Sequence, residues 1–438
     1  MIKITDINLY TGEELIRDAA LLISGTDIVY AGKKENLPHE GENLFLGGEN
    51  LLLGGEDYKI TRSIKGGGAL CLPGLVNAHT HGAMVFLRGV ASDRTLSDWL
   101  EKVVPIEEKF TRSMIYDGTM LAIAQMIATG TTAFADMYYH MDAVIDSVLE
   151  TGIRANITRG SSSEEGVDSH KGWFADWDGA GEGRLRVFVG LHAEYTSDEK
   201  TVAYAVETAG KLSTGIHLHI SESLFEVEGC IGRRGCSPVE YFKKYGIFNN
   251  HTLAAHCVHL SDNDIAILGE AGVYAAHCPV SNMKLANGIA PLRKMEAAGV
   301  NIALGTDGAS SNNSLDMFRE MKAASLLQKG SLGDPKAMDA EKTIKAATLT
   351  GAKALGFDKT GLLKKGYRAD LILIDPDSLN MFPGVDPAAD AVYSAQGSDV
   401  TLNMVNGKIL YEKGEYKTLD IEKVKAQALQ TAKELNIV

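Results

Sequence analysis

Between residues 74 and 308 the chain repeats one alternation eight times, a short apolar segment followed by a longer stretch with helical spacing. The apolar segments are GLVNAHTH, TTAFADMYY, RANITRG, RVFVGLHAEY, GIHLHISES, TLAAHCVHL, GVYAAHCPVSN and VNIALGTDG. Amphipathic stretches such as MIYDGTMLAIAQMIATG, TVAYAVETAGKLST and APLRKMEAAG sit between them, and several close on glycine, as helix C-termini do. Successive strands joined by helices must run parallel, and eight such units predict an α/β fold, a (β/α)8 TIM-type barrel. In that architecture the chemistry sits at the C-terminal ends of the strands, where the polar residues of these segments fall.

Both ends of the chain read differently. IKITDINLY, AALLISGTDIVYAG and ITRSIKGGGAL at the start, and GLLKKGYRADLILIDPDSL and DVTLNMVNGKILYEKGEY near the end, read as short strands with turn punctuation. Asn406-Gly407 is a two-residue hairpin signal, and a duplicated L-x-L-G-G-E within residues 44–56 suggests a local hairpin or loop. We therefore expect a small composite β-sandwich domain from residues 1–70 with 361–411, a barrel over 71–360, and a C-terminal helix over 412–438. That helix is amphipathic and reads as packing on the barrel or on a second subunit, which leaves a homo-oligomer open.

Composition narrows the function. A formal charge of −14 with no basic run argues against nucleic acid and against an anionic membrane surface. Five scattered cysteines, none in a CxxC pair, fit a reduced compartment, and no stretch is long and apolar enough to span a bilayer, so the expected location is cytoplasmic.

The strand ends carry the candidate chemistry. Residues i and i+2 of a strand share a face, so His79 and His81 point into the barrel together. His219, with Glu222 three residues on, closes the fifth strand, His256 the sixth, and Asp307 the eighth. One inward histidine is usually a packed core residue; several on successive barrel strands are a chelating set. Three neutral imidazoles and a carboxylate suit Zn2+, with Fe2+ as the alternative.

These segments resemble the amidohydrolase superfamily, in the branch that holds 5'-methylthioadenosine/S-adenosylhomocysteine deaminases, guanine deaminases and triazine hydrolases. The resemblance spans nearly the whole chain and is carried by PGLVNAHTHGAMVFLRG, HISES, AAHCVHLSDND, HCPVSNMKLANGIAPL and LGTDGASSNNSLDMFREMKAASLLQK. It implies one divalent metal held by His79, His81, His219 and Asp307, and hydrolytic deamination of an adenine nucleoside. Asp307 would take a proton from water, Glu222 would protonate a ring nitrogen, and His256 would polarise the attacked centre or hold the developing oxyanion. Relatives that hydrolyse cyclic amides bridge two metals with a lysine on the fourth strand; that strand here has no lysine and offers His192 instead, as a ring-binding residue.

Trp99 and an acid of VVPIEEKF resemble nucleoside-contacting residues of this branch, with Glu107 favoured over Glu108 for the ribose hydroxyls. Arg159 resembles an arginine that reaches toward the substrate's 5' tail. The segment after it, read as a loop over residues 160–183, has no second arginine to complete a carboxylate clamp. The expected substrates are thus 5'-methylthioadenosine, 5'-deoxyadenosine or adenosine ahead of S-adenosylhomocysteine. The competing readings are an aminohydrolase of guanine, a pterin or a triazine, and a metal-free scaffold that has lost catalysis.

Overall fold

The computed structural model describes residues 1–38, 43–46, 49–52 and 59–437. The chain opens with β1 (Ile2–Tyr10), β2 (Leu15–Ser24) and β3 (Asp27–Lys33), an antiparallel meander. β4 (Asn43–Leu46) and β5 (Glu49–Leu52) pair antiparallel with each other alone; the two Gly-Gly pairs of the duplicated motif lie outside the described residues. β6 (Arg62–Lys65) and β7 (Leu70–Pro73) then both run parallel to β1.

Next come the alternating strands: β8 (Leu75–Thr80), β9 (Thr131–Tyr138), β10 (Arg154–Arg159), β11 (Leu185–Val187), β12 (Val189–Gly190), β13 (Ile216–Ile220), β14 (Thr252–His256), β15 (Tyr274–His277) and β16 (Asn301–Leu304). They form two parallel arcs, β8-β9-β10-β11 and β12-β13-β14-β15-β16. The predicted fourth strand is broken at Phe188, so its first half belongs to one arc and its second to the other. Across the two outer edges, the Asp307 amide donates to the His79 carbonyl at 2.9 Å.

Helix caps explain where several crossovers start and stop. Helix α1 (Leu96–Glu107) begins at Thr95, whose hydroxyl accepts from the Asp98 amide, and α2 (Arg112–Ala128) begins likewise at Thr111. Helix α3 (Met141–Thr151) ends at Gly152 with φ +84°, a left-handed position that glycine adopts without strain. The segment after Arg159, expected as a loop, is instead the 14-residue helix α4 (Glu164–Trp177), capped by Ser163. Val167, Trp173, Phe174 and Trp177 pack it against the molecule's cores, and burying these side chains sets the conformation of a segment whose polar composition suggests coil.

The chain returns to the first sheet through β17 (Leu371–Ile374), β18 (Val400–Val405), β19 (Lys408–Glu412) and β20 (Glu415–Tyr416), giving the order β20-β19-β18-β17-β7-β1-β2-β3 with β6 beside β1. Asn406 and Gly407 form the β18–β19 turn with φ +48° and +72°, as an Asn-Gly hairpin requires. β7 and β17 are apolar on both faces for a reason visible in the packing. Leu70, Leu72, Ile372 and Ile374 enter the core beneath the parallel strands, while Cys71, Leu371 and Leu373 join Ile4, Leu9, Leu21 and Met404 in a separate core. A buried ion pair ties β10 to this sheet: Arg154 is 2% exposed, and its Nε and Nη2 donate to the two Asp370 oxygens at 2.8 and 3.1 Å. No helix of the described residues is long and apolar enough to cross a membrane.

Candidate metal centre and ligand cavity

Three strand ends converge on one point. His79 lies within β8 and His81 just past it, His219 lies on β13, and Asp307 follows β16. Hydrogen bonds fix the imidazole tautomers. His81 Nδ1 is 2.5 Å from the Met137 carbonyl oxygen and His219 Nδ1 is 2.7 Å from that of His192. A carbonyl only accepts, so both Nδ1 atoms carry hydrogen and both Nε2 atoms present lone pairs. Those two Nε2 atoms face each other at 3.4 Å, and Asp307 Oδ1 lies 3.3 Å from His81 Nε2 and 3.6 Å from His79 Nε2. His79 Nδ1 is 3.0 Å from His217 Nε2; with the proton on His79, its own Nε2 is a buried lone pair without a hydrogen-bond partner.

Lone pairs and a carboxylate oxygen gathered in this way repel one another unless a cation lies among them. Burial pushes His79 down to about 3 and His219 well below the ordinary imidazole value, so both stay neutral at physiological pH. Borderline nitrogen donors with one carboxylate suit a divalent ion of the zinc type, and the residues present fit such a group. His256 Nε2, at the end of β14, also lies near the group.

Backbone strain marks the same strand ends. Ser221, His256 and Asp307 all hold positive φ (+52°, +73° and +62°), conformations that side-chain-bearing residues adopt at a cost of about 1–3 kcal/mol each. At Ser221 the strain is held by Glu226, whose two carboxylate oxygens accept the amides of Ser221 (3.0 Å) and Glu222 (2.8 Å). Glu222 is thereby aimed at the centre, with its Oε2 3.7 Å from His256 Nε2. Burial raises the Glu222 carboxyl above its usual value, against the pull of His256. For His256 burial acts downward, but the carboxylates of Glu222 and Asp307 outweigh it and raise the imidazole.

One short segment braces all three of these groups. Ser281 Oγ donates to Asp307 Oδ2 at 2.6 Å, Asn282 Oδ1 accepts from His256 Nδ1 at 2.9 Å, and Asn287 Nδ2 donates to Glu222 Oε1 at 2.9 Å. Asp307 also accepts from Ser311 Oγ and from the Gly308 amide. Sequence reasoning picked out SNMKLANGIAPL as a motif without assigning these side chains. Serine and asparagine carry no chemistry of their own that would announce such roles.

Above the centre opens a cavity of about 560 Å³ whose wall includes Trp99, Glu107, Arg159 and His192 together with Glu222, His256 and Asp307. Trp99 is held by its indole N–H to Ser310 Oγ at 3.2 Å. The His192 imidazole lies 5.0 Å from that of His219 between ring centres, and burial lowers it to about 4. Glu107 is half-buried and accepts from Tyr138 Oη at 2.5 Å, whereas Glu108 is exposed. Glu108 borders a neighbouring hollow of about 440 Å³ that shares Glu107, Tyr139 and Arg159 with the first and adds Asp142 and Trp173. The structure thus brings together every side chain that the sequence singled out.

Comparisons with known proteins agree with this geometry. The amidohydrolase family model matches residues 70–410. A 5-methylthioadenosine/S-adenosylhomocysteine deaminase of Moorella thermoacetica is 48% identical over 371 residues, 83% of this chain and 87% of the relative. A 5'-deoxyadenosine deaminase of Methanosarcina mazei is 43% identical over 380 residues, 85% of this chain and 88% of the relative. Among solved structures, a zinc-bound adenosine deaminase from Xanthomonas campestris superposes with a TM-score of 0.90 at 30% identity, covering 100% of this chain and 99% of its own. By its matched length and by these identities, the chain belongs to the amidohydrolase family.

Proposed function

We propose that this protein is a metal-dependent hydrolytic deaminase of adenine nucleosides, taking 5'-methylthioadenosine, 5'-deoxyadenosine or adenosine to the inosine analogue and ammonia. The observation that carries the reading is the convergence of unpaired imidazole nitrogens and Asp307 beneath a nucleoside-sized cavity whose floor also holds the Glu222–His256 pair. The names of the relatives support the same chemistry.

One Zn2+ held by His79, His81, His219 and Asp307 fits the donor set, and such an ion supplies the Lewis acidity that brings a water's pKa toward neutrality. The protein's own groups do the rest. Asp307, fixed through Ser281, Ser311 and the Gly308 amide, takes the proton from the attacking water. Glu222, with its carboxyl raised by burial, gives a proton to the ring nitrogen beside the amino-bearing carbon. His256, its Nδ1–H anchored on Asn282, directs Nε2 at the oxygen that adds there. Collapse of the tetrahedral carbon expels ammonia with the proton from Asp307, while the carbon-borne hydroxyl returns a proton to Glu222 and the ring is left as the oxo product.

Trp99, Glu107, Arg159 and His192 form the substrate wall, with Glu107 accepting from the ribose hydroxyls. Arg159 faces acids in the tail hollow, and Arg112, which reaches Asp142 there, has its Nε and Nη2 committed to Asp142 and Asp146. This charge pattern favours an uncharged 5' substituent over the zwitterionic end of S-adenosylhomocysteine. The same reading takes the two arcs as one closed (β/α)8 barrel over 71–360, supported by the bond from Asp307 to His79 across their edges. It takes residues 1–70 with 361–411 as a composite β-sandwich domain, supported by the separate core that both chain ends share. The expected C-terminal helix over 412–438 is shorter, Ile421–Glu434, because the residues before it complete the sheet through β19 and β20; five unpaired cysteines suit the cytoplasm.

Ammonia release from zinc-loaded protein tests the function, with 5'-methylthioadenosine, adenosine and S-adenosylhomocysteine assayed side by side. We expect turnover that a chelator abolishes and that added Zn2+ restores, at least tenfold higher kcat/KM for the thioether nucleoside than for the homocysteine adduct, and none for guanine. Turnover of guanine or a pterin without turnover of nucleosides would overturn the reading.

A further inference from the structure

Glu107 occupies an awkward place for a carboxylate. It is the last residue of α1, where the helix dipole disfavours negative charge, and it is half-buried in the cavity wall. Burial works to raise its carboxyl, and among the described residues no lysine or arginine pairs with it. Its hydrogen-bond donor is the phenol of Tyr138, the last residue of β9, which is 3% exposed and lines the same cavity. Burial and the neighbouring Glu107 raise the Tyr138 hydroxyl well above its usual value, so it remains a donor.

We propose that Tyr138 is the positioning residue for Glu107: its hydroxyl holds the carboxylate turned into the cavity, and the pair thereby sets the preference for ribosides that carry both ring hydroxyls. The inference rests on the nucleoside reading above. A carboxylate offers about four lone-pair positions. With one taken by the phenol, acceptors remain for the 2'- and 3'-hydroxyls. Without the phenol, the carboxylate is free to turn out of the cavity, and the diol would lose its acceptor. A purely structural tyrosine, packed beside Phe110 and Tyr139, would affect every substrate alike.

The test compares Tyr138→Phe with the parent on adenosine and on 2',3'-dideoxyadenosine, with calorimetric binding of inosine and 2',3'-dideoxyinosine as the non-kinetic readout. A hydrogen bond to a charged group is worth about a 10- to 100-fold change in affinity. We expect KM for adenosine and Kd for inosine to rise by about that factor, with much smaller changes for the dideoxy compounds. A double variant with Glu107→Ala should match Glu107→Ala alone, because the acceptor is already gone. If Tyr138→Phe does not fold, Glu107→Gln, which keeps an acceptor for the phenol, takes its place: a loss confined to the compounds with both hydroxyls supports the pair, and equal losses on both overturn it. Equal losses on both nucleosides, or none on either, would overturn the role of Tyr138 while leaving the deaminase reading intact. A parent protein inactive on every adenine nucleoside would overturn both.

Discussion

At the scale of single residues the proposed mechanism divides the site into groups that do chemistry and groups that aim them. Glu222→Gln keeps the shape and the Asn287 contact but removes the transferable proton; kcat should fall by about 10²- to 10⁴-fold while the protein still binds one equivalent of zinc by elemental analysis. Asn287→Ala leaves Glu222 in place but unbraced, and we expect kcat to drop by about 10- to 100-fold with an unchanged thermal midpoint. The first kind of residue was legible in the sequence. Ligation and proton transfer demand particular side chains, and His79, His81, His219 and Asp307 stand at strand ends where those demands are met. The second kind was hidden. Ser281, Asn282 and Glu226 act through the direction of one hydrogen bond each or a pair, which no spacing rule encodes. The fold also decides between Glu107 and Glu108 as cavity residue, a distinction that helix phase leaves within error.

At the scale of elements, the eight parallel segments were readable because a strand buried between helices must be apolar and short. Two departures have physical causes. Phe188 interrupts the fourth strand because its side chain packs beneath the parallel strands among Val76, Ala133 and Leu355. Helix α4 was taken for loop because its polar stretch outweighs a stripe of only a few apolar residues, although Ser163 followed by Glu164 and Glu165 is a sound helix start. The tie between β10 and the first sheet was invisible, since Arg154 and Asp370 meet only after nearly half of the chain has folded between them. Asp370 also accepts the Asn406 amide at 2.7 Å. Asp370→Ala would therefore strand a buried guanidinium and expose a turn; we expect a loss of about 3–5 kcal/mol in guanidinium denaturation with little change in kcat per folded molecule.

At the scale of the whole molecule, buried carboxylates make stability depend on pH. Burial pushes the Glu320 carboxyl, which accepts from Asn312 and the Val280 amide, up to about 8 from 4.5. Between those values the native state binds more protons than the unfolded chain, so this contribution is present in full below about 4.5 and is gone above about 8. The urea midpoint should fall as pH rises from about 5 to 8, and Glu320→Gln should flatten that slope; an unchanged slope would remove Glu320 from the account. That strands from both chain ends gather apart from the parallel ones was legible, because strands with turn signals flank the alternating middle. The order of strands in the shared sheet was not, since pairing partners lie at opposite ends of the chain. That order has a consequence measured in time. On the ribosome, β1 and β7 emerge early, but β17 emerges about 300 residues after β7, to which it pairs. At about 5–20 residues per second, β7 waits roughly 15 to 60 s with an unfilled edge. An early sheet with an open edge is a template for the wrong neighbour, so the yield of soluble protein should be sensitive to translation speed and to chaperones that cover that edge.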